Sequence, residues 1–423
     1  MSQRIFQLLP SLAFGDAIGN EVASIRKALS GRGYDTHVYF LENPGGRMYP
    51  AEASPVAELP ELDDDDIILY HLSIGSPMNQ LLRRIRGRKI FRYHNITPAE
   101  FFRFYNVILG EKCREGLEEI RSLSDVPERC IAVSQFNKEH LRSLGYTCPI
   151  DVCPIVIDWQ EYDEAFRLLG TTPVEIKRRT ASEELRLMEM NGIAGSAMYR
   201  RENISRKIVL KAPVGELAGT SGLADAKTEQ SGETNSGDPQ RTSEDILKVL
   251  FVGRVAPNKK QQDLIAAVAA YAERYDRQIH LTLVGSAGGN EKFKRELCKY
   301  ADMLGIGDLV FFCGHTKFAG IVKSYTEADV FLCMSEHEGF CVPLIEAMHF
   351  GVPILAYDSS AVGETLGDGG ILLKDKNPEQ VAEELHRLKN PSVRKQLSES
   401  GRRRVEYFSP DRSTDRLLEL ILK

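Results

Sequence analysis

Apolar and polar positions along this chain fall into two long blocks, each built of short apolar runs separated by segments with helical spacing. The first block reaches to about residue 160 and contains the runs RIFQLL, THVYFL, IILYHL, KIFRYH and CIAVS. Short runs of this kind, rich in β-branched and aromatic residues, read as strands buried on both faces. Between them apolar residues recur at i, i+3, i+4 and i+7, as at Met78, Leu81, Leu82 and Ile85, which predicts a helix. The second block runs from Lys248 to about residue 390, with strands at KVLFVG, HLTLVG, LVFFCG, DVFLCMS, PILAY and GILLK. Strands alternating with helices imply an α/β architecture with mostly parallel sheets and helices on both faces. Two such blocks imply two Rossmann-like domains, residues 1–161 and 246–405, facing each other across a cleft.

The rhythm fails between the blocks. Residues 162–245 include GTSGLADAKTEQSGETNSGDPQRTSED, which is rich in Gly, Ser, Thr and acidic residues. That composition buries too little apolar surface to offset its ordering entropy, so a long, partly disordered low-complexity insertion is expected, with a helix at Ala181–Met190. The last piece, residues 406–423, breaks at Ser409-Pro410 and resumes as a helix with Leu417, Leu418 and Ile421 on one stripe. Such a helix is able to pack back on the N-terminal domain.

Composition narrows the function classes. The 423 residues are 42% hydrophobic and 27% charged, as in an ordinary globular protein, and the net charge of −6 lacks the basic excess that a nucleic acid would attract. No run reaches the roughly 18 to 20 apolar residues that span a bilayer. The opening MSQRIFQLLPSLAFG lacks a small-x-small cleavage site and reads as a buried first strand, Arg4 to Leu9. The eight cysteines form no CxxC pair and read as reduced core residues of a cytoplasmic protein.

Chemistry concentrates in ADVFLCMSEHEGFCVPLIEAMHFGVP at 328–353. A strand ends near Ser335, a polar loop carries Glu338 and Gly339, and Pro343 opens a helix that stops at Gly351. Free amides at that helix start suit a phosphate or hydroxyl oxygens, and Glu338 and Glu346 are placed to face one ligand. Each glutamate taken alone is equally a solvated loop charge or a helix N-terminal charge. The full pattern EGFxxPxxEAMxxGxP, with Glu338-x7-Glu346, resembles the donor site of glycosyltransferase family 4, the retaining group 1 enzymes of the GT-B fold.

The resemblance implies that Glu338 contacts hydroxyls of the transferred sugar, that the backbone of Gly339, Phe340 and Cys341 holds sugar and phosphate, and that Glu346 binds the ribose. Cys341 stands where many members have glycine, which requires an ordinary φ there. In KVLFVGRVAPNKKQQDLI the family's GRxxxxK pattern falls on Arg254 and Lys259, two cations for the pyrophosphate leaving group. Gly15, in GDAIGNEVASIRKAL, corresponds to a glycine where donor phosphate and acceptor meet. His94, at the end of KIFRYH, corresponds to a cleft-facing histidine that touches the donor sugar. His94 and Glu338 are therefore the catalytic candidates, and Gly15, Arg254, Lys259, Gly339, Phe340, Cys341 and Glu346 the donor-binding ones.

No metal or cofactor is implied, the nucleotide diphosphate-sugar serving as co-substrate. Asp63 to Asp66 read as a solvated turn rather than a metal site, and no cluster has metal-ligand spacing. The glycine-rich GSAGGN at 285–290 lacks the ending of a P-loop. Similarity of YHNITPAEFF, GSPMN and GRVAPNKKQ to bacterial polysaccharide and lipopolysaccharide enzymes favours mannose from GDP-mannose and a glycan or lipid-linked saccharide acceptor. Arg83, Arg84, Arg86, Arg88, Lys89 and Arg92 form a basic cluster that is either a solvated face or a peripheral contact with the inner face of a membrane. A UDP-sugar-dependent glucosyl, galactosyl or N-acetylglucosaminyl transferase, a sugar-nucleotide epimerase of the same fold and a non-catalytic nucleotide-sugar-binding subunit are the alternatives.

Overall fold

The computed structural model describes residues 3–12, 17–43, 53–171, 174–190 and 246–423. Seven strands form the first sheet: β1 (Arg4–Ser11), β2 (Asp35–Glu42), β3 (Ala53–Pro55), β4 (Ile67–Leu72), β5 (Arg88–Tyr93), β6 (Arg129–Ala132) and β7 (Ile150–Val152). All are parallel, in the order β3-β2-β1-β4-β5-β6-β7. The second sheet contains β8 (Arg179–Thr180), β9 (Leu247–Val252), β10 (Ile279–Val284), β11 (Val310–Gly314), β12 (Val330–Cys333), β13 (Ile354–Tyr357) and β14 (Ile371–Leu373). Its order is β14-β13-β12-β9-β10-β11-β8, parallel except for β8 on β11. Every apolar run read as a strand from sequence is one. β3, β7 and β8 are too short to give a periodic signal.

In both sheets the strand order reverses once, between β1 and β4 and between β9 and β12. In a doubly wound sheet the helices leave on opposite sides at that point and open a crevice beyond the strands' carboxyl ends. The loops after β9 and β12, which carry the GRxxxxK and EGF patterns, flank the second reversal.

Two expectations change. The helix drawn through Met78 and Ile85 is only Pro77–Leu81, capped by the Ser76 hydroxyl, and continues as turns up to Gly87. Part of the segment assigned to the insertion instead carries most of the helix Trp159–Leu169 and β8, while the helix expected at Ala181–Met190 is present. Ala181 and Leu185 join the core of the second domain, so this stretch is structural. The rest of that insertion, 191–245, lies outside the described residues.

The chain ties its domains together by crossing between them. Tyr162, on the helix Trp159–Leu169, stacks edge-on against Phe318 and packs with Ile345 and Phe340 of the second domain. The final helix, Pro410–Leu422, returns to the first: Leu417, Leu418, Leu420 and Ile421 pack among Ile5, Leu29, Ile67 and Ile90. Four fully buried aliphatic side chains, at about 1.5 to 3 kcal/mol each, anchor it.

Candidate active site in the cleft between the sheets

A cavity of about 150 Å³ opens between the two domains. His94, Asn95, Phe102 and Leu109 line it from the first domain, and Arg254, Lys259, Asn290, His337, Glu338 and Gly339 from the second. Of the nine candidates drawn from sequence, His94, Arg254, Lys259, Glu338 and Gly339 meet here. Gly15 lies outside the described residues.

The second domain supplies the charges. Lys259 ends a short turn after β9, and its Nζ lies 2.6 Å from both Oε1 and Oε2 of Glu338. Glu338 is 7% exposed. Burial disfavours the ammonium, but the carboxylate beside it more than compensates, so the Lys259 pKa stands above the ordinary lysine value. Lys260, its neighbour, turns instead to Glu336 at 2.8 Å. Arg254 is solvent-exposed at the cavity wall, with only a 3.5 Å contact to the Gly288 carbonyl. Among the described residues, Arg254 without a carboxylate partner and the neutralised Lys259–Glu338 pair thus share the wall.

Gly339 sits at a close approach of the two domains. A Cβ there would lie 2.3 Å from the His94 carbonyl oxygen and 2.9 Å from the Asn95 Cβ, so only glycine permits this approach. Around it, the Ser134 hydroxyl donates to the Gly339 carbonyl at 2.8 Å, and the His337 ring meets the Asn95 side-chain oxygen at 2.7 Å. Asn106 donates to the Gly289 carbonyl at 2.7 Å, extending the contact to the glycine-rich loop.

The first domain supplies His94 from the residue after β5. Its side chain is buried, and burial, reinforced by the charge of Arg92, pushes its pKa well below 6.5, so the ring is neutral near pH 7. His337 is likewise pushed down, to about 4, chiefly by burial.

Two expectations are revised. Cys341 has φ 73°, in the left-handed region, rather than an ordinary φ: the loop turns sharply to start the helix Val342–His349, and the backbone keeps the geometry for which glycine is suited. Phe340 and Cys341 are buried in the adjoining cores, and the Phe340 carbonyl accepts from the Thr365 hydroxyl at 2.6 Å. Glu346 does not share the cavity with Glu338. Its carboxylate accepts from the Tyr162 hydroxyl at 2.6 Å and from the Tyr325 hydroxyl at 2.6 Å, in a buried pocket one turn into the helix.

The basic cluster is mostly neutralised. Arg83 pairs with Asp125, Arg86 with Asp64 and Arg88 with Glu128, while Arg92 is fully buried on Glu21 at 2.6 Å. Four of the six cations of this cluster therefore pair with carboxylates of the fold. Asp66, expected in a solvated turn, is buried and accepts from Arg4 at 2.7 Å. Among the described residues no helix is long and apolar enough to cross a membrane.

Two groups of potential metal ligands, unrelated in sequence spacing, do come together: Glu21 with His71 and His94, and Cys333 with Glu338 and Cys341. In each the carboxylate is already committed to a cation, Arg92 or Lys259. Asn95, Asn258, Asn290 and His337 line the cavity without a motif that marks them. Both side-chain polar atoms of Asn290 are buried without a partner among the described residues, which leaves them open to a group in the cavity. Its only sequence signal is its place at the end of GSAGGN.

Comparison with known proteins follows this geometry. Residues 235–404 match the family model Glycosyl transferases group 1. The second domain is thus similar to the group 1 glycosyl transferases. A D-inositol 3-phosphate glycosyltransferase of Streptomyces bingchenggensis is 32% identical over 176 residues, 40% of this chain and 39% of that one. This chain spans about two fifths of the length of the curated relatives it matches. The Anabaena HepE structure with UDP and glucose superposes with TM-score 0.62 at 16% identity, covering 99% of this chain and 98% of that one. Sucrose-phosphate synthase from Thermosynechococcus elongatus gives TM-score 0.64 at 16% identity, over 99% of this chain and 98% of that one. The architecture is the GT-B fold over the whole length.

Proposed function

We propose that this group 1 protein is a retaining, metal-independent glycosyltransferase that moves a hexose from a nucleotide diphosphate-sugar to a glycan or lipid-linked saccharide acceptor in the cytoplasm. The observation that carries this reading is the Lys259–Glu338 pair set beside Arg254 and opposite His94 in one interdomain cavity. Arg254 and Lys259 face the growing negative charge of a departing pyrophosphate, which they stabilise more in the transition state than in the bound donor. Glu338 accepts sugar hydroxyls. Both its oxygens are held by Lys259, so it is a poor nucleophile, and the reading routes the acceptor proton to the departing phosphate on the same face of the sugar. Glu346, with both oxygens satisfied by tyrosines, reaches a ribose only if a hydroxyl shares or displaces those donors.

Mannose from GDP-mannose is the favoured donor, on the similarity of the cleft segments to bacterial polysaccharide and lipopolysaccharide enzymes. A UDP-sugar is the competing reading, supported by the UDP and glucose held by the Anabaena neighbour. Thermal stabilisation by GDP against UDP, followed by turnover of each sugar donor, separates them. Arg254→Ala is expected to lower kcat/KM by about 10²-fold or more. Transfer that survives both Arg254→Ala and Glu338→Ala unchanged overturns the site assignment, and donor conversion without an acceptor points to an epimerase.

A further inference from the structure

Behind His94 runs a hydrogen-bonded line of buried polar side chains taken from three adjacent strands. Gln7 of β1 and His71 of β4 are both fully buried. The Gln7 amide nitrogen donates to the Val22 carbonyl at 3.1 Å, which fixes its orientation and leaves Oε1 as an acceptor. His71 Nε2 lies 3.0 Å from that oxygen and so carries the hydrogen. Burial, together with the neighbouring imidazole of His94, pushes the His71 pKa well below 6.5, so His71 is neutral and its Nδ1 has a lone pair. His94 Nε2 lies 3.0 Å from that lone pair. The Glu21 carboxylate, itself paired with Arg92, faces the same His94 nitrogen at 3.6 Å. Two acceptors therefore face Nε2, while Nδ1 is enclosed with no hydrogen-bond partner among the described residues. An orphaned acceptor on a ring that lines a cavity is a place for a ligand's donor.

We propose that Gln7 and His71 are positioning residues that lock His94 as its Nε2–H tautomer, so that its Nδ1 lone pair accepts a hydroxyl hydrogen of the sugar in the cleft. The ligand half of this inference rests on the proposed function; the tautomer half rests on the buried line alone. A sugar hydroxyl fits because it both donates to Nδ1 and accepts from neighbouring donors. The wrong tautomer would present an N–H to the same hydroxyl and lose that register.

The test uses the full chain with 15N-labelled histidine and long-range 1H–15N spectra near neutral pH, with His94 and His71 assigned from His94→Gln and His71→Gln. Both rings are expected as Nε2–H tautomers, with the His94 Nδ1 resonance moving when GDP-mannose or UDP-glucose binds. His71→Asn keeps an acceptor near the place of Nδ1 and is expected to retain the tautomer and most of the turnover. His71→Leu is expected to mix the tautomers and lower kcat by about 10- to 100-fold, by analogy with the loss of an outer-shell partner elsewhere. Affinity for the free nucleotide diphosphate stays unchanged in both. An Nδ1–H tautomer or an imidazolium at His94 in the wild type overturns the proposal, as does equal turnover of His71→Asn and His71→Leu. A bound donor that leaves the His94 resonances unmoved removes the hydroxyl contact. Absence of transfer with every donor counts against the proposed function, and the tautomer is still read directly.

Discussion

Lys259 Nζ lies within 2.6 Å of both carboxylate oxygens of Glu338, joining the loop after β9 to the loop after β12. The Glu338 side chain is 8% exposed and Lys259 23%, so either charge left alone is poorly hydrated. Glu338→Gln is expected to lower kcat by about 10²- to 10³-fold. Lys259→Met strands the carboxylate and is expected to cost about 3 kcal/mol, the lower end for a buried pair because Lys259 keeps some solvent. The double variant is expected to regain stability without regaining turnover. Urea denaturation and transfer assays check this, and strictly additive stabilities would show that the two groups are not coupled.

Gly339 gives a separate test of the closed cleft. In Gly339→Ala the new methyl meets the His94 carbonyl, and the two loops must part by about 1 Å, a displacement that costs catalysis about 10²-fold. Each domain keeps its core, so the far-ultraviolet circular dichroism is expected to be unchanged while transfer collapses. Normal turnover in this variant would mean that the productive cleft is more open than this one.

Tyr162 and Tyr325 hold Glu346 from two directions, one from the linking helix and one from the helix Phe318–Thr326. Burial raises the Glu346 pKa, and the two hydroxyls oppose that rise. Tyr162→Phe removes one charge-assisted bond and is expected to lower stability by about 1.5 to 3 kcal/mol. The same change in a Glu346→Gln background is expected to cost less, because a neutral acceptor loses less. Equal costs in chemical denaturation would show that the carboxylate is not ionised in the fold.

Acid is expected to destabilise the protein through its buried histidines. Burial holds His337 at about 4 and His71 and His94 well below 6.5, whereas the unfolded chain titrates near 6.5. Between those values the unfolded chain binds more protons, so stability rises with pH and is lost as pH falls below about 6.5. Glu346 and Glu161, raised above their ordinary value by burial, work in the opposite sense as pH climbs through their titration, but His140 and His280 are lowered by burial as well, so five histidines stand against these two carboxylates. The urea midpoint is expected to be lower near pH 5 than near pH 7, with a flatter slope in His337→Gln. A midpoint that does not move would place these rings in contact with water.

Much of the fold was legible because a strand buried on both faces must be written as an apolar run, and Ile67–Leu72 or Leu247–Val252 have no other easy reading. β8 was not legible, since two residues carry no period and its pairing with β11 is decided by contact. Residues 162–190 misled for a related reason. Tyr162 and Ala165 look like scattered apolar positions until the second domain supplies the surface they cover.

At the site, Arg254, Lys259 and Glu338 were marked by motif, whereas Asn290 and His337 were not: an amide or imidazole in a loop has no spacing rule. The pairing of the basic cluster was not legible because its partners, Asp125, Asp64, Glu128 and Glu21, sit 22 to 71 positions away in the chain.

The sequence by itself determined two mostly parallel sheets, the loops at their carboxyl ends and the residue types of the proposed nucleotide-sugar site, because burial and turn chemistry act over a few neighbouring positions. Only the tertiary structure decided that Lys259 and Glu338 neutralise each other, that Glu346 is held apart by tyrosines, and that Gln7, His71 and His94 form one line. Those outcomes depend on distances of about 3 Å between strands and loops far apart in the chain, and hydrogen bonds of that length are set by packing rather than by spacing.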